Sequence, residues 1–390
     1  MQMIVCASIN HWEGSYDLNF LKFCFFQTYA VIGIICFYQY IYIMSIQESL
    51  ELKGIAILMM LFLHLFNISE NVDLCVNTLY FWNGKPLVLA LSRITAFCVP
   101  IYIFLSGYGL GLKFLKGGDM GNVQRISKLY INYWVIFILF VGLGCIVNPE
   151  IYPKNMSTFV LNFIGYECSY NYEWWFLFPY IILVLLSKYI FTFFLNLKKK
   201  TLVWTMVGLF GMHIGGNLLG KPLSGITAEF HIVQHLLWVV SLIFMFVCGA
   251  VFAKYAIFDW AKAVCNRMKN GKLILGSVFI VLLILRMMLG PSVINPLFVL
   301  PAMMIYLCFV RPARLSGVLR YFGKHSTNMW LIHTFFAYYL FKDFVYGFKY
   351  PIVIYCVLIL LSLASSYVVT WMNRPLQGLW DKYVLRVKHG

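Results

Sequence analysis

The sequence is short of charge, and of acidic residues above all. Only 11% of its 390 residues are charged, with 14 acidic against 30 basic side chains, whereas 62% are hydrophobic and the mean hydropathy is +0.81. Such a composition excludes a soluble globular protein and indicates a polytopic helical membrane protein. The net charge of +16 does not indicate nucleic-acid binding, because the cations lie in loops between apolar runs and form no basic face on a globular core.

Metal and redox motifs are missing as well. The 11 cysteines include no Cys-x-x-Cys pair and no metal-ligand spacing, and most lie in apolar runs, where cysteine behaves as a small hydrophobe. We therefore expect no bound metal and no permanently bound cofactor. Cys75 and Cys168 fall in loops on the non-cytoplasmic side of the topology derived below, and a disulfide between them is one arrangement that the sequence allows. There is also no clean signal peptide, no internal repeat and no appended soluble domain.

Ten apolar runs have the length of membrane spans. They cover residues 52–68, 87–112, 129–147, 174–196, 201–219, 231–253, 273–289, 293–310, 326–346 and 350–372. An eleventh run, 20–44, is an extra N-terminal span if it crosses the membrane at all. The expected fold is all-α, a polytopic transmembrane helical bundle of ten core spans. We divide the chain into an N-terminal extension (1–49), a membrane domain (50–380) and a cytoplasmic tail (381–390), and leave open whether 1–43 result from a misassigned start codon before Met44.

The distribution of lysine and arginine predicts the orientation. Alternate loops hold 21 basic residues on one side of the spans and five on the other. Because cytoplasmic loops carry the excess of Lys and Arg, the first set is assigned to the cytoplasm. With ten spans, the C-terminus is then cytoplasmic.

The first core span carries an ionisable side chain that the membrane disfavours. His64 follows Lys53 by eleven residues, or roughly 16 Å of helix, which is near the middle of the hydrocarbon layer. An ionisable group at that depth is a functional-site hypothesis by default. Imidazole suits proton transfer near neutral pH, and the alternative is a structural histidine bonded to a neighbouring helix.

Further polar residues lie in or beside the spans, and each has a structural alternative. Arg93, in the outer half of its span, is either a donor to an oxyanion or substrate carboxylate or part of a structural ion pair. Arg125 and Lys128 share a helix face. They either bind the phosphates of an anionic donor or are present only because cytoplasmic ends of spans are rich in cations. His333 faces His64 or simply packs. Four more ionisable residues at the outer ends are more often structural: His213, His231, His235 and Arg286.

A cluster of aromatic residues opens the span that begins at Trp174. Glu173 directly precedes Trp174 and Trp175. A carboxylate beside aromatic faces suits contact with a sugar, whereas tryptophan at a membrane interface is usually an anchoring residue. The sequence leaves both readings open.

Taken in order, these residues resemble the acyltransferase-3 family of integral-membrane acyltransferases over nearly the whole of 50–380. The resemblance rests on five segments: Lys53…His64, Arg93 to Ser106-Gly107-Tyr108, Arg125-Ile-Ser-Lys128 before an aromatic-rich helix, Trp174-Trp175-Phe176-Leu177, and Gly323-Lys-His-Ser326…His333. Lys53 and Lys128 stand where the family commonly has arginine. Lysine keeps the positive charge but lacks the bidentate hydrogen-bonding geometry of arginine. Asn373 stands where an acidic residue is common.

The resemblance implies transfer of an acyl group, usually acetyl from cytoplasmic acetyl-CoA, to a hydroxyl of a cell-surface or lipid-linked carbohydrate. From the positions of the residues, we assign catalytic roles to His64, Arg93, His333 and Glu173. Donor binding falls to Lys53, Arg125 and Lys128, and acceptor binding to Trp174, Trp175 and Ser106. A bacterial plasma membrane is the expected location, with acyl-CoA, the sugar acceptor and membrane lipids as partners and no nucleic acid. A homo-oligomer is left open.

Two other functions fit parts of the sequence. A transporter or flippase of a lipid-linked saccharide explains the spans and the buried charges, although such transporters often carry inverted repeats. A membrane-bound acyltransferase of the other large superfamily also uses a buried histidine, but the residues around His64 and Ser106 do not suit it. A scaffold protein would give the intramembrane histidine and arginine no role.

Overall fold

The computed structural model describes residues 44–76, 79–81, 84–219, 223, 231–289 and 292–389, with side chains described as far as residue 383. Within these ranges the chain is helical and has no β-strand, only an isolated bridge between Tyr80 and Pro86. The prediction of an all-α fold is confirmed. The predicted extra span 20–44 falls, apart from Met44, outside the described residues.

Fifteen α-helices follow one another in the described ranges. They are α1 (Ile46–Phe66), α2 (Ser69–Val72), α3 (Leu87–Thr95), α4 (Cys98–Leu115), α5 (Asn122–Val147), α6 (Met156–Phe163), α7 (Leu177–Leu195), α8 (Lys199–Leu219), α9 (His231–Lys254), α10 (Ile257–Arg267), α11 (Gly271–Met288), α12 (Asn295–Cys308), α13 (Ala313–Thr334), α14 (Lys342–Tyr346) and α15 (Pro351–His389). A 3₁₀ turn (Tyr172–Phe176) leads into α7, another (Ser292–Ile294) leads into α12, and a π-helical turn (Phe335–Tyr339) follows α13.

Eight of the described helical segments are long and apolar enough to cross a membrane by length and composition. They correspond to eight of the ten predicted spans, with α3 and α4 forming one segment, Leu87–Leu115. The other two differ from the prediction. The run 293–310 forms a shorter apolar segment, Ser292–Cys308, and the run 326–346 begins inside α13, whose first half is rich in cations. The chain is therefore a multi-pass helical membrane protein.

The helices form two compact units. The first comprises residues 44–73, 79–120 and 186–323, and the second comprises 74–76, 121–185 and 324–389 of the described chain. Helices α7 and α13 each contribute one half to each unit.

Glycines allow two helices of the first unit to pack backbone against backbone. Helix α4 contacts α9 along much of its length. A Cβ on Gly107 would overlap the carbonyl oxygen of Phe246, and one on Gly111 would lie 2.8 Å from Cα of Ala250. Conversely, a Cβ on Gly249 of α9 would overlap the carbonyl oxygen of Phe104 of α4. Small residues four apart are the usual means of close helix contact in membranes.

A second close contact of this kind joins α1 to α13. A Cβ on Gly54 would overlap the carbonyl oxygen of Leu319, and one on Gly323 would overlap that of Leu50. Gly54 follows Lys53, and Gly323 opens the segment that ends at His333. Both glycines therefore have a packing role inside segments that also carry the candidate site residues.

Helix α1 begins six residues before the predicted span, and its first two turns contain two buried glutamates. Ser45 and Glu48 form a capping box that fixes the start of the helix. Glu48 lies 2.9 Å from Lys262 Nζ, and Glu51 lies 2.8 Å from Arg311 Nε and 3.1 Å from the hydroxyl of Tyr306. These ion pairs neutralise carboxylates that would otherwise not be tolerated at 7% and 3% exposure.

We expect Glu51→Gln to lower the free energy of unfolding by about 3 kcal/mol, because Arg311 would keep only its longer, 3.7 Å contact to Glu48 and Arg320 would lose its carboxylate partner. The melting temperature of the purified, solubilised protein measures the effect. Asp381→Asn is the control, since the Asp381–Lys128 pair, at 3.0 Å, is about 40% exposed on both sides. Equal losses in the two variants would contradict a structural role for the Glu48–Glu51 cluster.

The second unit is held together by aromatic packing and by amide contacts. Helix α5 packs against α15, and Asn132 Oδ1 accepts hydrogen bonds from Asn373 at 2.6 Å and Gln377 at 3.0 Å. Asn373 thus connects the two helices through a neutral amide.

Candidate active site

Four of the predicted site residues lie in the first unit. His64 and Lys53 are on α1, Ser106 is on α4, and Arg93 is on α3. Helix α1 contacts both α3 and α4, and the Tyr102 hydroxyl donates to the carbonyl oxygen of Lys53 at 3.2 Å. Helices that contact one another therefore carry these four side chains.

His64 occupies the last turn of α1, not its middle. Eighteen residues separate Ile46, the first residue of α1, from His64, or about 27 Å of helix. The imidazole is 8% exposed, and Leu61, Leu65 and Phe66 around it are fully buried. The predicted intrahelical separation of roughly 16 Å from Lys53 is kept, because α1 is continuous through both residues. A buried ionisable side chain in an apolar membrane segment remains a candidate functional residue.

Arg93 belongs to a polar cluster at one end of α11, which the sequence did not reveal. Its Nη1 donates to the carbonyl oxygen of Met287 at 2.7 Å. Arg286, 1% exposed, donates from Nη1 to the Leu289 carbonyl and from Nε to Asn295 Oδ1, both at 2.7 Å. Asn295 in turn donates to the carbonyl oxygen at residue 96, just beyond α3, at 3.1 Å.

His213 contacts the turn that leads to Asn295, since its ring lies against the carbonyl oxygen of Val293. Its Nδ1 is 2.5 Å from the carbonyl oxygen of Ser241 and its Nε2 is 2.9 Å from that of Val293. A neutral imidazole donates only one hydrogen bond, so the ring satisfies both carbonyls only when it is protonated. Its contacts support the structural reading, a ring that ties α8 and α9 to the turn before α12.

In the second unit, Glu173, Trp174 and His333 lie in one cluster. Trp174 is 2% exposed and donates from Nε1 to the Leu331 carbonyl at 3.0 Å, while Trp330 donates to the carbonyl of Glu173 at 3.2 Å. The 3₁₀ turn before α7 is thereby fixed to the last two turns of α13.

The two neighbouring tryptophans differ in surroundings. The Trp174 ring is surrounded by Tyr133, Phe137 and Phe335, with ring centroids 4.8–6.1 Å away. These contacts give it the features of a core anchor. Trp175 is partly exposed and packs at 5.9 Å against Phe176, so it is the better placed of the two to contact a ligand.

His333 has a defined tautomer in the second unit. Its Nδ1 lies 2.8 Å from the Trp330 carbonyl and 3.1 Å from the Met329 carbonyl. Since both partners only accept hydrogen bonds, Nδ1 carries the proton and the lone pair of the neutral ring is on Nε2. His333 is fully buried, and this tautomer is the one in which Nε2 accepts a proton.

Asn171 is a further polar residue of this cluster that sequence reasoning missed. Its Oδ1 accepts hydrogen bonds from the Thr334 hydroxyl at 2.9 Å and from the backbone N–H of Glu173 at 3.1 Å. Its Nδ2 is buried and has no partner among the described residues. A buried donor without an acceptor is costly, which makes this amide a candidate to donate to a bound substrate. An Asn two residues before a carboxylate is too common a pattern to have indicated it.

Arg125 and Lys128 both lie in the second unit, on the first turns of α5. Lys128 is 3.0 Å from the Asp381 carboxylate of α15. Arg125 is partly exposed, and its guanidinium forms no ion pair within the described residues. Its guanidinium is therefore the more available of the two cations for a phosphate.

The sequence-allowed disulfide is not formed, since Cys75 and Cys168 are both free thiols. Burial and the nearby carboxylates of Glu173 and Glu167 raise the pKa of the Cys168 thiol to about 12. Cys75 lies near Lys349, which lowers its pKa, although burial raises it on balance. Their different charged neighbours place them in different surroundings, so neither has the other as a partner.

The predicted residues thus divide into one group in each unit. The contacting helices of the first unit carry Lys53, His64, Arg93 and Ser106. The second unit contains Glu173, Trp174 and His333 in one cluster, and Trp175, Arg125 and Lys128 belong to the same unit. No group of histidine, cysteine or carboxylate side chains in the described residues could hold a metal ion.

A multi-pass helical membrane protein with buried histidine and arginine side chains is the class that the fold and these residues define. The chain matches the model of the acyltransferase-3 family, described as an acyltransferase domain, over residues 48–371. The protein therefore belongs to this family, and it is a membrane acyltransferase. The match covers every predicted site residue. Comparison with curated proteins gave no match, and neither did comparison with solved structures.

Proposed function

We propose that the protein transfers an acyl group, most simply acetyl, from cytoplasmic acyl-CoA to a hydroxyl of a cell-surface or lipid-linked carbohydrate. An exopolysaccharide, a capsule or an O-antigen is the kind of acceptor intended, and a plasma membrane with the C-terminus inside is the setting. The observation that carries the proposal is the buried imidazole of His64 in a chain that belongs to an acyltransferase family.

In the proposed reaction the acceptor hydroxyl gives its proton to His64 while its oxygen attacks the thioester carbonyl carbon. The carbon–sulfur bond then breaks, and the CoA thiolate takes the proton from the imidazolium. The same ring is also suited to carrying the acyl group transiently, in which case the hydroxyl attacks an acyl-imidazole. Arg93, through the donors that its contact with Met287 leaves unused, stabilises the tetrahedral oxyanion.

The remaining residues are assigned to binding. Arg125 and Lys128, both in the second unit, contact the phosphates of the donor on the cytoplasmic side. Trp175 and Glu173, both in the second unit, contact the sugar. Trp174 and His333 are the residues whose own contacts most favour positioning, because both are fixed by hydrogen bonds to backbone carbonyls.

We expect Arg125→Ala to weaken acetyl-CoA binding about tenfold, the loss of one charge-assisted contact to phosphate. Binding and release of CoA from labelled acetyl-CoA are measured with the purified protein in nanodiscs. Lys116→Ala is the matched control, because Lys116 is an exposed cation on the same predicted side. Absence of donor binding to the unaltered protein would contradict the proposal and favour a transporter of a lipid-linked saccharide.

A further inference from the structure

Arg93 and Arg286 form a pair of cations at the end of α11. The carbonyl oxygens that accept from them, at Met287 and Leu289, are two residues apart in the chain. Both guanidinium groups therefore donate to carbonyls at the C-terminal end of α11. No carboxylate pairs with either arginine among the residues that the structure describes.

The protein groups around this pair do not balance its charge. The helix C-terminus supplies a partial charge of roughly −0.5 through its carbonyls, and Asn295 is neutral. About one and a half positive charges are left in a site where Arg286 is 1% and Asn295 4% exposed. Arginine at this degree of burial normally has an anionic partner.

The geometry also leaves donors available. Arg286 is held by Asn295 and Leu289, so its orientation is fixed. Arg93 is partly exposed and uses Nη1 for Met287, whereas its Nε and Nη2 have no partner in the described part of the chain. One arginine is therefore positioned by the protein, and the other presents the three N–H groups of its Nε and Nη2 beside it.

We infer that Arg93 and Arg286 form a binding site for a phosphate-bearing ligand, namely the diphosphate of a polyprenyl-linked sugar acceptor or the phosphate of an anionic lipid headgroup. Two guanidinium groups match the two or more charges of a diphosphate, and their paired N–H groups match phosphate oxygens. A single transition-state oxyanion would neutralise only one of the two. The inference rests on the proposed function for the nature of the acceptor, and it gives Arg93 a role in acceptor binding besides oxyanion stabilisation.

The test is equilibrium binding of a polyprenyl diphosphate, compared with the uncharged polyprenol, to the protein in phosphatidylcholine nanodiscs. We expect the diphosphate to bind more tightly, and Arg93→Gln to raise its Kd about tenfold or more while leaving polyprenol binding unchanged. Arg286→Lys should give a smaller loss than Arg286→Gln, because the charge is kept without the fork. Lys349→Gln, which removes an exposed cation elsewhere, should have no effect.

The outcomes separate the sources of the phosphate and the two proposals. If phosphatidylglycerol in the nanodisc competes with the diphosphate, the site takes lipid headgroups; if it does not, the site takes the acceptor. Equal affinity for diphosphate and polyprenol, or an unaltered Kd in a folded Arg93→Gln protein, would overturn the inference even where CoA release continues. Diphosphate binding in a protein that releases no CoA would instead overturn the proposed function and leave the site standing.

Discussion

Replacement of His64 by alanine is expected to abolish acyl transfer while leaving the protein folded. If the imidazole is the general base, turnover should fall about 10³-fold, within the range that such groups contribute. His64→Gln should be equally inactive, because an amide has a similar size and polarity but accepts no proton at neutral pH. The measurement is acetyl transfer, followed as CoA release, in nanodiscs of matched protein content.

The same variants distinguish the two roles open to His64. An acyl-imidazole intermediate predicts that acetyl-CoA alone adds one acetyl group to the unaltered protein in a rapid quench, and none to His64→Gln. A general base predicts no such adduct. His231→Ala is the control, since His231 is an exposed imidazole at the start of α9, and it should transfer acetyl at the normal rate. Appreciable turnover by a folded His64→Ala protein would remove this residue from the centre of the mechanism.

Most of the helices could be predicted from apolar runs alone, because a span of some twenty apolar residues has few other structures open to it in a membrane. Two of the exceptions, in α1 and α13, have a common physical cause. Helix α1 begins at Ile46 and not near residue 52, since Glu48 and Glu51, which ended the apolar run, are neutralised by cations distant in sequence. The sequence cannot reveal such pairs until the fold brings them together.

Helix α13 is the second exception, and it involves the same cluster of charged residues. Its first twelve residues contain Arg314, Arg320 and Lys324, which the predicted spans 293–310 and 326–346 leave in a cytoplasmic loop. Arg320 lies 3.7 Å from Glu51, and Gly323 lets the helix approach α1. The count of basic residues predicted an orientation, but part of the excess has a structural use inside the first unit.

The candidate site was predictable residue by residue and not as a geometry. A histidine or arginine in an apolar run is conspicuous, so His64, Arg93 and His333 could be found. Asn171 and Asn295 could not, because a neutral amide at the edge of a span is ordinary and its importance comes only from contacts with Thr334 or Arg286. The roles of Trp174 and Trp175 also differ in a way that adjacent identical residues conceal.

The close contact between α4 and α9 gives the second prediction with a large expected effect, on the stability of the protein. We expect Gly107→Ala to lower the free energy of unfolding by about 2–3 kcal/mol, because its methyl group would overlap the Phe246 carbonyl and only a shift of a whole helix relieves the overlap. The melting temperature of the solubilised protein should fall by several degrees. Since Gly107 follows Ser106, a loss of activity in this variant would by itself be ambiguous.

Gly109→Ala resolves the ambiguity, because it makes the same substitution two residues along the same helix. A Cβ at Gly109 meets nothing within 4 Å, and alanine has the higher helix propensity. We expect this variant to be as stable as the unaltered protein, or slightly more so. If both alanine variants have the same melting temperature, Gly107 is not needed for the close packing of α4 against α9. The role of the Ser106-Gly107 segment would then be functional and not structural. If only Gly107→Ala is destabilised, the glycine is a packing residue, and the chemistry of this segment rests on Ser106.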